Sequence, residues 1–281
     1  SCGFDSVPSD LTVYALHRQA TADGGGELGE TTYVLRSANY AAGFSRGSVE
    51  TMLSLMHAGS GDRGTRRLLD DPYSLSPNRS AEPDLGPQTD LSLHRGEEFA
   101  PELTGLWTSG YLMALYNTRC VRRSNALLNW RYGRRFRYRE AASMGCSPAA
   151  PVMALMTNAT ISAAGRLGGP YLRMIPPGVL EAMTSRTAVG ARDDAGTGHY
   201  RVETYAVTAD SRRYVARMAQ QADPGYASTA VLLGESVLAL AFDRSRLPDR
   251  AGVLTPASAM GEVLAGRLRA AGVAFDVARL G

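Results

Sequence analysis

The sequence predicts an α/β or α+β fold in which helices cover a mixed β-sheet. Segments with helical periodicity and segments with strand-like alternation follow one another along the chain. Hydrophobic residues make up 44% of the 281 residues, which is enough for a substantial core. Clusters of Gly and Pro separate the elements, and no internal repeat is present.

The first third of the chain is predicted to contain a helix, a strand, a second helix and a long loop. Ser9 or Asp10 is expected to cap the first helix. Residues 31–35 are β-branched and aromatic, as is typical of a strand. Apolar spacing of three and four over 43–56 predicts an amphipathic helix, and the polar, Pro-rich stretch 59–101 predicts a loop.

The middle of the chain is predicted to continue the alternation of helices and strands. Periodicity indicates helices over 110–129 and 151–167. Alternation of side-chain types indicates strands over 136–139 and 199–207. These elements would place both strands in one sheet.

The last part of the chain is predicted to hold two helices and a terminal strand. Residues 229–242 are apolar enough for a buried helix. Thr255 is placed to cap a second helix with Pro256 at its first position, and Gly272 is placed to end it. Residues 273–277 predict the strand.

Composition excludes several classes of function. The net charge of +3 arises without a basic cluster, so we expect no nucleic-acid partner. Every basic residue is Arg, and the absence of Lys excludes a Schiff-base Lys or a phosphate-loop Lys. No glycine-rich dinucleotide turn follows a predicted strand. The four histidines are too far apart in sequence for a ligand pair, so we expect no metal site.

The cysteines and the apolar runs predict a cytoplasmic protein. Cys2, Cys120 and Cys146 give no disulfide framework, which favours a reducing compartment. The longest apolar run, 231–242, is too short to span a membrane and contains Glu235.

Arginines on the helix over 110–129 are the first candidates for binding a ligand. Arg119 and Arg123 are four residues apart, so their like charges share one face and call for an anion. Partner carboxylates would satisfy them as structural groups, and a ligand phosphate or carboxylate would satisfy them as a clamp. The residues alone leave both alternatives open.

A hydrolase that uses a nucleophilic Ser or Cys is another interpretation of the sequence. Cys2 lies next to a glycine turn and could be a reactive thiol, but a lone cysteine with no His nearby in the sequence is more typical of a small packing residue. No G-x-S-x-G elbow marks a nucleophilic serine.

Several stretches, in the same order, resemble saccharopine dehydrogenase-like oxidoreductases, and most of all the bacterial trans-acting enoyl reductases. The most specific are CGFDSVPSDL at 2–11 and YNTRCVRRSNALL at 116–128. The other matching stretches are GFSRGSVETML at 43–53, LLDDPYSLSP at 68–77, YGRRFRYRE at 132–140, DPGYASTA at 223–230 and LTPASAMGEVLAGRLRAAGVAF at 254–275.

The resemblance implies an NADP-dependent reductase that acts on a C=C bond of a lipid or polyketide-type substrate. It places the nicotinamide beside Cys2, Gly3, Phe4 and Asp5. The roles it implies are catalysis for Asp5, Ser6 and Arg123, and substrate binding for Asn117, Arg119 and Arg122. Tyr40, Ser45 and Tyr226 are candidate proton donors, with nothing to choose between them.

In this family a Rossmann-type domain precedes the GFDS segment. This chain would supply a substrate and catalytic domain over 1–250 and a C-terminal helix and strand over 251–281 that returns to the nucleotide-binding domain. We therefore expect the isolated chain to be inactive and to bind NADP weakly. The apolar stripe Met260–Leu268 should then be exposed, which favours a homodimer or pairing with a nucleotide-binding chain.

A non-catalytic protein of the same fold is the alternative. Such a protein would hold a lipid through its Met-rich helices or act as an interaction subunit. Peripheral association with a membrane is compatible with either function.

Overall fold

A computed structural model of the chain describes residues 2–40, 54, 62–88, 93–167 and 198–281, with side chains to residue 163 in the fourth helix. The helices are α1 (Val7–Ala22), α2 (Arg63–Asp70), α3 (Ala114–Leu127), α4 (Ala150–Leu167), α5 (Ala227–Phe242), α6 (Pro256–Ala259) and α7 (Gly261–Ala270). The strands are β1 (Leu28–Asn39), β2 (His94–Arg95), β3 (Trp107–Gly110), β4 (Arg137–Gly145), β5 (His199–Thr208), β6 (Arg213–Gln220) and β7 (Ala274–Leu280).

One mixed sheet of seven strands organises the fold, in the order β2-β3-β4-β1-β5-β6-β7. β1 pairs in parallel with β4 and in antiparallel with β5, and every other pairing is antiparallel. The prediction of an α/β fold with a mixed sheet is confirmed.

Helices cover one face of this sheet. α1 packs across β5 and β6 and also contacts α3, α6 and α7. The main core lies between them, with Leu11 and Leu16 of α1 against strand residues such as Tyr33 and Met218. Side chains alternate along each strand, so the residues between these core positions face the other side.

The opposite face carries a smaller apolar cluster and a charged centre. Leu103 and Leu106, in the segment before β3, pack on Val34 and Val215. Beyond that cover, the carboxylate of Glu203 on β5 is 3% exposed and is surrounded by arginines. This face is therefore polar wherever the 96–106 segment does not reach.

The first helix begins earlier than its capping pattern predicts. α1 starts at Val7 with Ser6 as its N-cap, so the prediction that Ser9 or Asp10 caps the helix is wrong. Pro8 fits the first turn because a helix N-terminus needs no N–H there. Asp10 instead lies within the helix and is fully buried.

Two other sequence predictions need correction. The stretch 59–101 contains the helix α2, whose N-cap Asp62 accepts a hydrogen bond from the Thr65 N–H at 2.7 Å. The helix over 229–242 is buried on one side only, since Leu232 is fully buried whereas Val237 is 55% exposed. The predicted helix over 43–56 lies outside the described residues except for Ser54.

The C-terminal stripe is also buried within this chain. Met260, Leu264 and Leu268 are at most 4% exposed, because α7 packs on α1 and α5. The prediction that this stripe is exposed is wrong. Thr255 does cap the helix that follows, accepting from the Ser258 N–H at 3.3 Å. The domain boundary at residue 250 stays a prediction.

Candidate functional site

The segment Gly3–Ser6 forms a tight turn at the start of α1. The Gly3 carbonyl accepts hydrogen bonds from the N–H groups of Ser6 and Val7, at 3.3 and 3.1 Å. The Phe4 N–H donates to Oγ1 of Thr229 on α5, at 3.0 Å. A Cβ on residue 3 would lie 3.1 Å from Cγ2 of the same threonine. Glycine at position 3 thus allows the turn to pack closely against α5.

Four tyrosines surround this turn. The Phe4 ring contacts Tyr200 and Tyr40, with centroids 4.6 and 6.3 Å apart. Tyr33 and Tyr111 stack on each other at 6.0 Å. We call Tyr33, Tyr40, Tyr111 and Tyr200 the tyrosine cluster. It gathers residues from β1, β5 and the segment that follows β3 around the first turn of α1.

Asp5 places one carboxyl beside the tyrosine cluster. Its side chain is half-buried, and none of the described residues gives it a hydrogen bond or an ion pair. Burial therefore raises the pKa of the Asp5 carboxyl above its ordinary value. A partly buried acid without a partner is common at functional sites.

Tyr40 couples this carboxyl to the rest of the cluster. Burial raises the pKa of Tyr40 to about 12; a hydrogen bond with Tyr111 lowers it, and the charge of Asp5 raises it. Tyr40 is only half-buried, whereas Tyr33 and Tyr200 are almost completely buried. The Tyr200 hydroxyl has no hydrogen-bond partner among the described residues. All four cluster hydroxyls stay protonated at neutral pH, because burial raises the pKa of each, and Tyr40 is the least buried residue of the cluster.

A buried polar network supports the turn from below. Oγ of Ser6 donates to the side-chain oxygen of Asn117 at 3.3 Å. The Asn117 amide donates to Oγ of Ser9 at 3.2 Å and to a carboxylate oxygen of Glu140 at 3.1 Å. Tyr138 donates to the other Glu140 oxygen at 2.8 Å. This network fixes α3 and β4 to the start of α1.

The arginines of α3 hold backbone carbonyls. Arg119 donates to the carbonyls of Leu115 and Leu69, at 2.7 and 2.6 Å. Arg122 donates to those of Pro72 and Tyr138, at 3.2 and 3.1 Å. These contacts to backbone carbonyls do not decide between the carboxylate partners and the ligand anion, so both alternatives stay predictions.

Arg123 also donates to backbone carbonyls, but to those of other segments. It donates to the Val253 carbonyl at 2.6 Å and also to the Leu75 carbonyl. The α3 arginines thereby fix the loop after α2 and the loop before α6. Substrate binding by Arg119 and Arg122, and catalysis by Arg123, stay predictions.

The structure brings some of the predicted site residues together and leaves others apart. Cys2, Gly3, Phe4, Asp5 and Ser6 form one turn, and Asn117 contacts it. Sequence reasoning missed the cluster tyrosines other than Tyr40, and it missed Glu140. Strand alternation could have placed Tyr33 and Tyr200 on the helix-covered face, but not beside Asp5.

Within the described ranges, no group of three His, Cys, Asp or Glu residues could hold a metal ion. No helix in those ranges is both long and apolar enough to cross a bilayer.

The fold and site define a class: an α/β domain in which a helix N-terminal turn presents a carboxyl to tyrosines from a mixed sheet. Comparison with curated proteins identifies the family. A trans-acting enoyl reductase of Mycobacterium ulcerans is 50% identical over 283 residues, and one of Mycobacterium tuberculosis strain H37Rv is 48% identical over 281 residues. Another H37Rv protein, which carries the same name provisionally, is 52% identical over 281 residues.

These alignments span all of this chain and 67% of each relative. The chain belongs to the trans-acting enoyl reductase family. No family model matches it, and no solved structure does.

Proposed function

We propose that this chain forms the substrate-side part of an NAD(P)H-dependent enoyl reductase that acts on a lipid or polyketide-type substrate. Family membership supports the reaction class, because the relatives are named for enoyl reduction. The single observation that carries the site is the half-buried Asp5 carboxyl next to Tyr40 and the tyrosine cluster, to which none of the described residues gives a hydrogen bond or an ion pair. The wider saccharopine dehydrogenase-like relationship and the preceding Rossmann-type domain belong to the proposal.

The turn offers two side chains to a dinucleotide. Cys2 and Asp5 are half-buried, so both would be accessible to the nicotinamide ring, and Phe4 would support it from the core. When bound, NAD(P)H supplies the hydride that adds to the β-carbon of the enoyl group. The isolated chain is expected to bind the dinucleotide weakly and to be inactive.

Tyr40 is proposed as the proton donor. Its hydroxyl is protonated at neutral pH and is the accessible hydroxyl of the cluster. Tyr40 would give its proton to the α-carbon, so that the C=C bond becomes a CH–CH bond. Its hydrogen bond with Tyr111 would orient the hydroxyl, and water would return the proton afterwards.

Asp5 is proposed to act on Tyr40, and Ser6 is proposed to position the turn. The charge of the Asp5 carboxylate would help to keep the Tyr40 hydroxyl protonated, because it raises the pKa of that hydroxyl. Ser6 is 6% exposed and donates to Asn117, so it would position the turn. A catalytic role for Arg123 would require it to leave the carbonyls of Leu75 and Val253.

The test uses a fusion of this chain to the part of the M. ulcerans relative outside the alignment. The fusion is mixed with NADPH and a 2-enoyl thioester in D₂O, and we expect NADPH oxidation with deuterium at the α-carbon. Tyr40→Phe should lower kcat by about 10²–10⁴-fold. The matched control is Tyr116→Phe, a 45% exposed tyrosine on α3, which should leave kcat unchanged.

Two results would contradict the proposal. One is full activity of Tyr40→Phe. The other is micromolar NADPH binding and full turnover by residues 1–281 alone, which would refute the need for a separate nucleotide-binding part.

A lipid-binding protein without catalysis is the second candidate, and one surface supports it. Val152, Met153, Leu155 and Met156 on α4 are each at least 51% exposed. A fusion that binds a fluorescent fatty acid but never oxidises NADPH would favour this function.

A further inference from the structure

A cleft of about 770 Å³ lies at the other end of α1 from the candidate site. The second half of α1 forms one wall, and the start of α7 and residues 246–250 form another. Arg18 is eleven residues after Val7, which at about 1.5 Å per residue is about 17 Å along the helix. The cleft is therefore separate from the tyrosine cluster.

Four arginines line this cleft. Arg250 donates to the Leu127 carbonyl at 2.5 Å, and Arg246 pairs with Asp243 at 3.2 Å. Arg18 and Arg131 make no ion pair or side-chain hydrogen bond within the described ranges, and both are exposed. Two guanidinium groups thus retain their hydrogen-bonding capacity for a ligand.

The other polar groups of the cleft leave it cationic. Glu262 is the one acidic residue among its lining, and it contacts Arg269 at 3.4 Å. Burial lowers the pKa of His17, and the charges of Arg131 and Arg18 lower it further. His17 is therefore neutral at pH 7 and offers a hydrogen-bonding nitrogen between the two arginines.

The floor of the cleft is apolar. Tyr14, Leu128, Met260 and Val263 line it. Gly261 has φ +43°, and a Cβ there would lie 2.8 Å from the Tyr14 ring, so helix α7 begins in direct contact with α1. The volume exceeds that of an inorganic anion and falls within the range of small-molecule sites, about 300–1,000 Å³.

We propose that this cleft binds an organic phosphate ester, with the phosphate held by Arg18 and Arg131 and the organic part on the apolar floor. Arginine forks match phosphate oxygens in a bidentate manner. The apolar floor gives an ester an advantage over inorganic phosphate. The site is independent of the proposed reductase chemistry, because it shares no residue with the tyrosine cluster.

Calorimetric titration of the chain with phenyl phosphate, inorganic phosphate and benzoate tests this proposal. Phenyl phosphate should bind at least about tenfold more tightly than either of the others. Arg18→Gln and Arg131→Gln should each weaken its binding at least about tenfold, while their circular dichroism spectra stay unchanged. Arg135→Gln is the matched control, since Arg135 is an exposed arginine outside the cleft.

Three results would overturn the proposal. If Arg135→Gln weakens binding as much as Arg131→Gln, the effect is general charge attraction. Equal binding of benzoate removes the preference for phosphate, and equal binding of inorganic phosphate removes the role of the apolar floor. None of these measurements depends on reductase activity.

Discussion

Replacing Asp10 by Asn should remove a loss of stability that the parent protein shows as pH rises. The Asp10 carboxyl is fully buried in α1 and accepts hydrogen bonds from the Ser124 hydroxyl and from the Ala257 N–H, the latter at 2.7 Å. Burial raises its pKa from 3.8 to about 6, although these hydrogen bonds lower it. Asn has nearly the same shape and can still accept from the Ala257 N–H.

The magnitude follows from the difference between the folded and unfolded pKa. The folded state holds the proton between pH 3.8 and about 6, whereas the unfolded state has lost it. The free energy of unfolding therefore falls as pH rises through this window. A shift of about two units corresponds to about 3 kcal/mol, of which about 2.5 kcal/mol falls between pH 4 and pH 7.5.

Urea denaturation of both proteins at several pH values measures this effect. The stability of Asp10→Asn relative to the parent should rise by about 2.5 kcal/mol from pH 4 to pH 7.5. Asp249→Asn, whose parent side chain is fully exposed, is the matched control and should change the stability little. A constant difference for Asp10→Asn, or one that falls with pH, would refute the reasoning.

Three further substitutions test the packing, each by urea denaturation. Glu203→Gln should lower the free energy of unfolding by about 2 kcal/mol at neutral pH. Burial raises the pKa of Glu203, but hydrogen bonding and the charge of Arg36 lower it by more, so the pKa lies below its ordinary value. The stabilisation by the Glu203 carboxylate is present above pH 4.5, its ordinary pKa, and is lost as pH falls below that value. Gly261→Ala should cost at least about 2 kcal/mol, because φ is +43° and the Tyr14 ring is 2.8 Å from the new Cβ. Leu268→Ala should cost about 2–5 kcal/mol, because this side chain is fully buried.

Each of these variants has a matched control. Glu30→Gln removes a 56% exposed carboxylate with two ion pairs at 3.6 Å and should cost at most about 1 kcal/mol. Gly266→Ala places a methyl in open space on α7 and should stabilise by up to about 1 kcal/mol. Leu240→Ala, at a 51% exposed position, should cost less than about 1 kcal/mol. A control variant that loses as much stability as the variant it is matched to would contradict the physical reason given for that variant.

Local patterns in the sequence were enough to locate most elements. Alternation and β-branched residues identified β1, β5 and β7, although β1 extends beyond 31–35. Capping chemistry located the start of α6 at Thr255. β2, β3 and β6 were missed, the first two because strands of two and four residues give too short a pattern.

Burial and partner choice were harder to predict, because they depend on distant parts of the chain. Asp10 resembles a helix cap in sequence, yet it is buried because α6 returns about 250 residues later to place Ala257 against it. The α3 arginines suggested carboxylate partners or a ligand, and nothing in the sequence indicated that the end of α2 and the loop after it also supply backbone carbonyls to them. The turn at Asp5 was found through family resemblance, whereas most of the tyrosines around it come from strands and loops far along the chain.

The central position of β1 constrains how this chain can fold during synthesis. β1 ends at Asn39, but its two neighbours, β4 and β5, begin at Arg137 and His199. One edge of β1 therefore remains unpaired until β4 emerges from the ribosome, about 100 residues later, and the other until β5 emerges, about 160 residues later. An unpaired strand exposes main-chain groups that favour association with other strands. Maturation of this protein should accordingly depend on chaperone occupancy until β5 is synthesised.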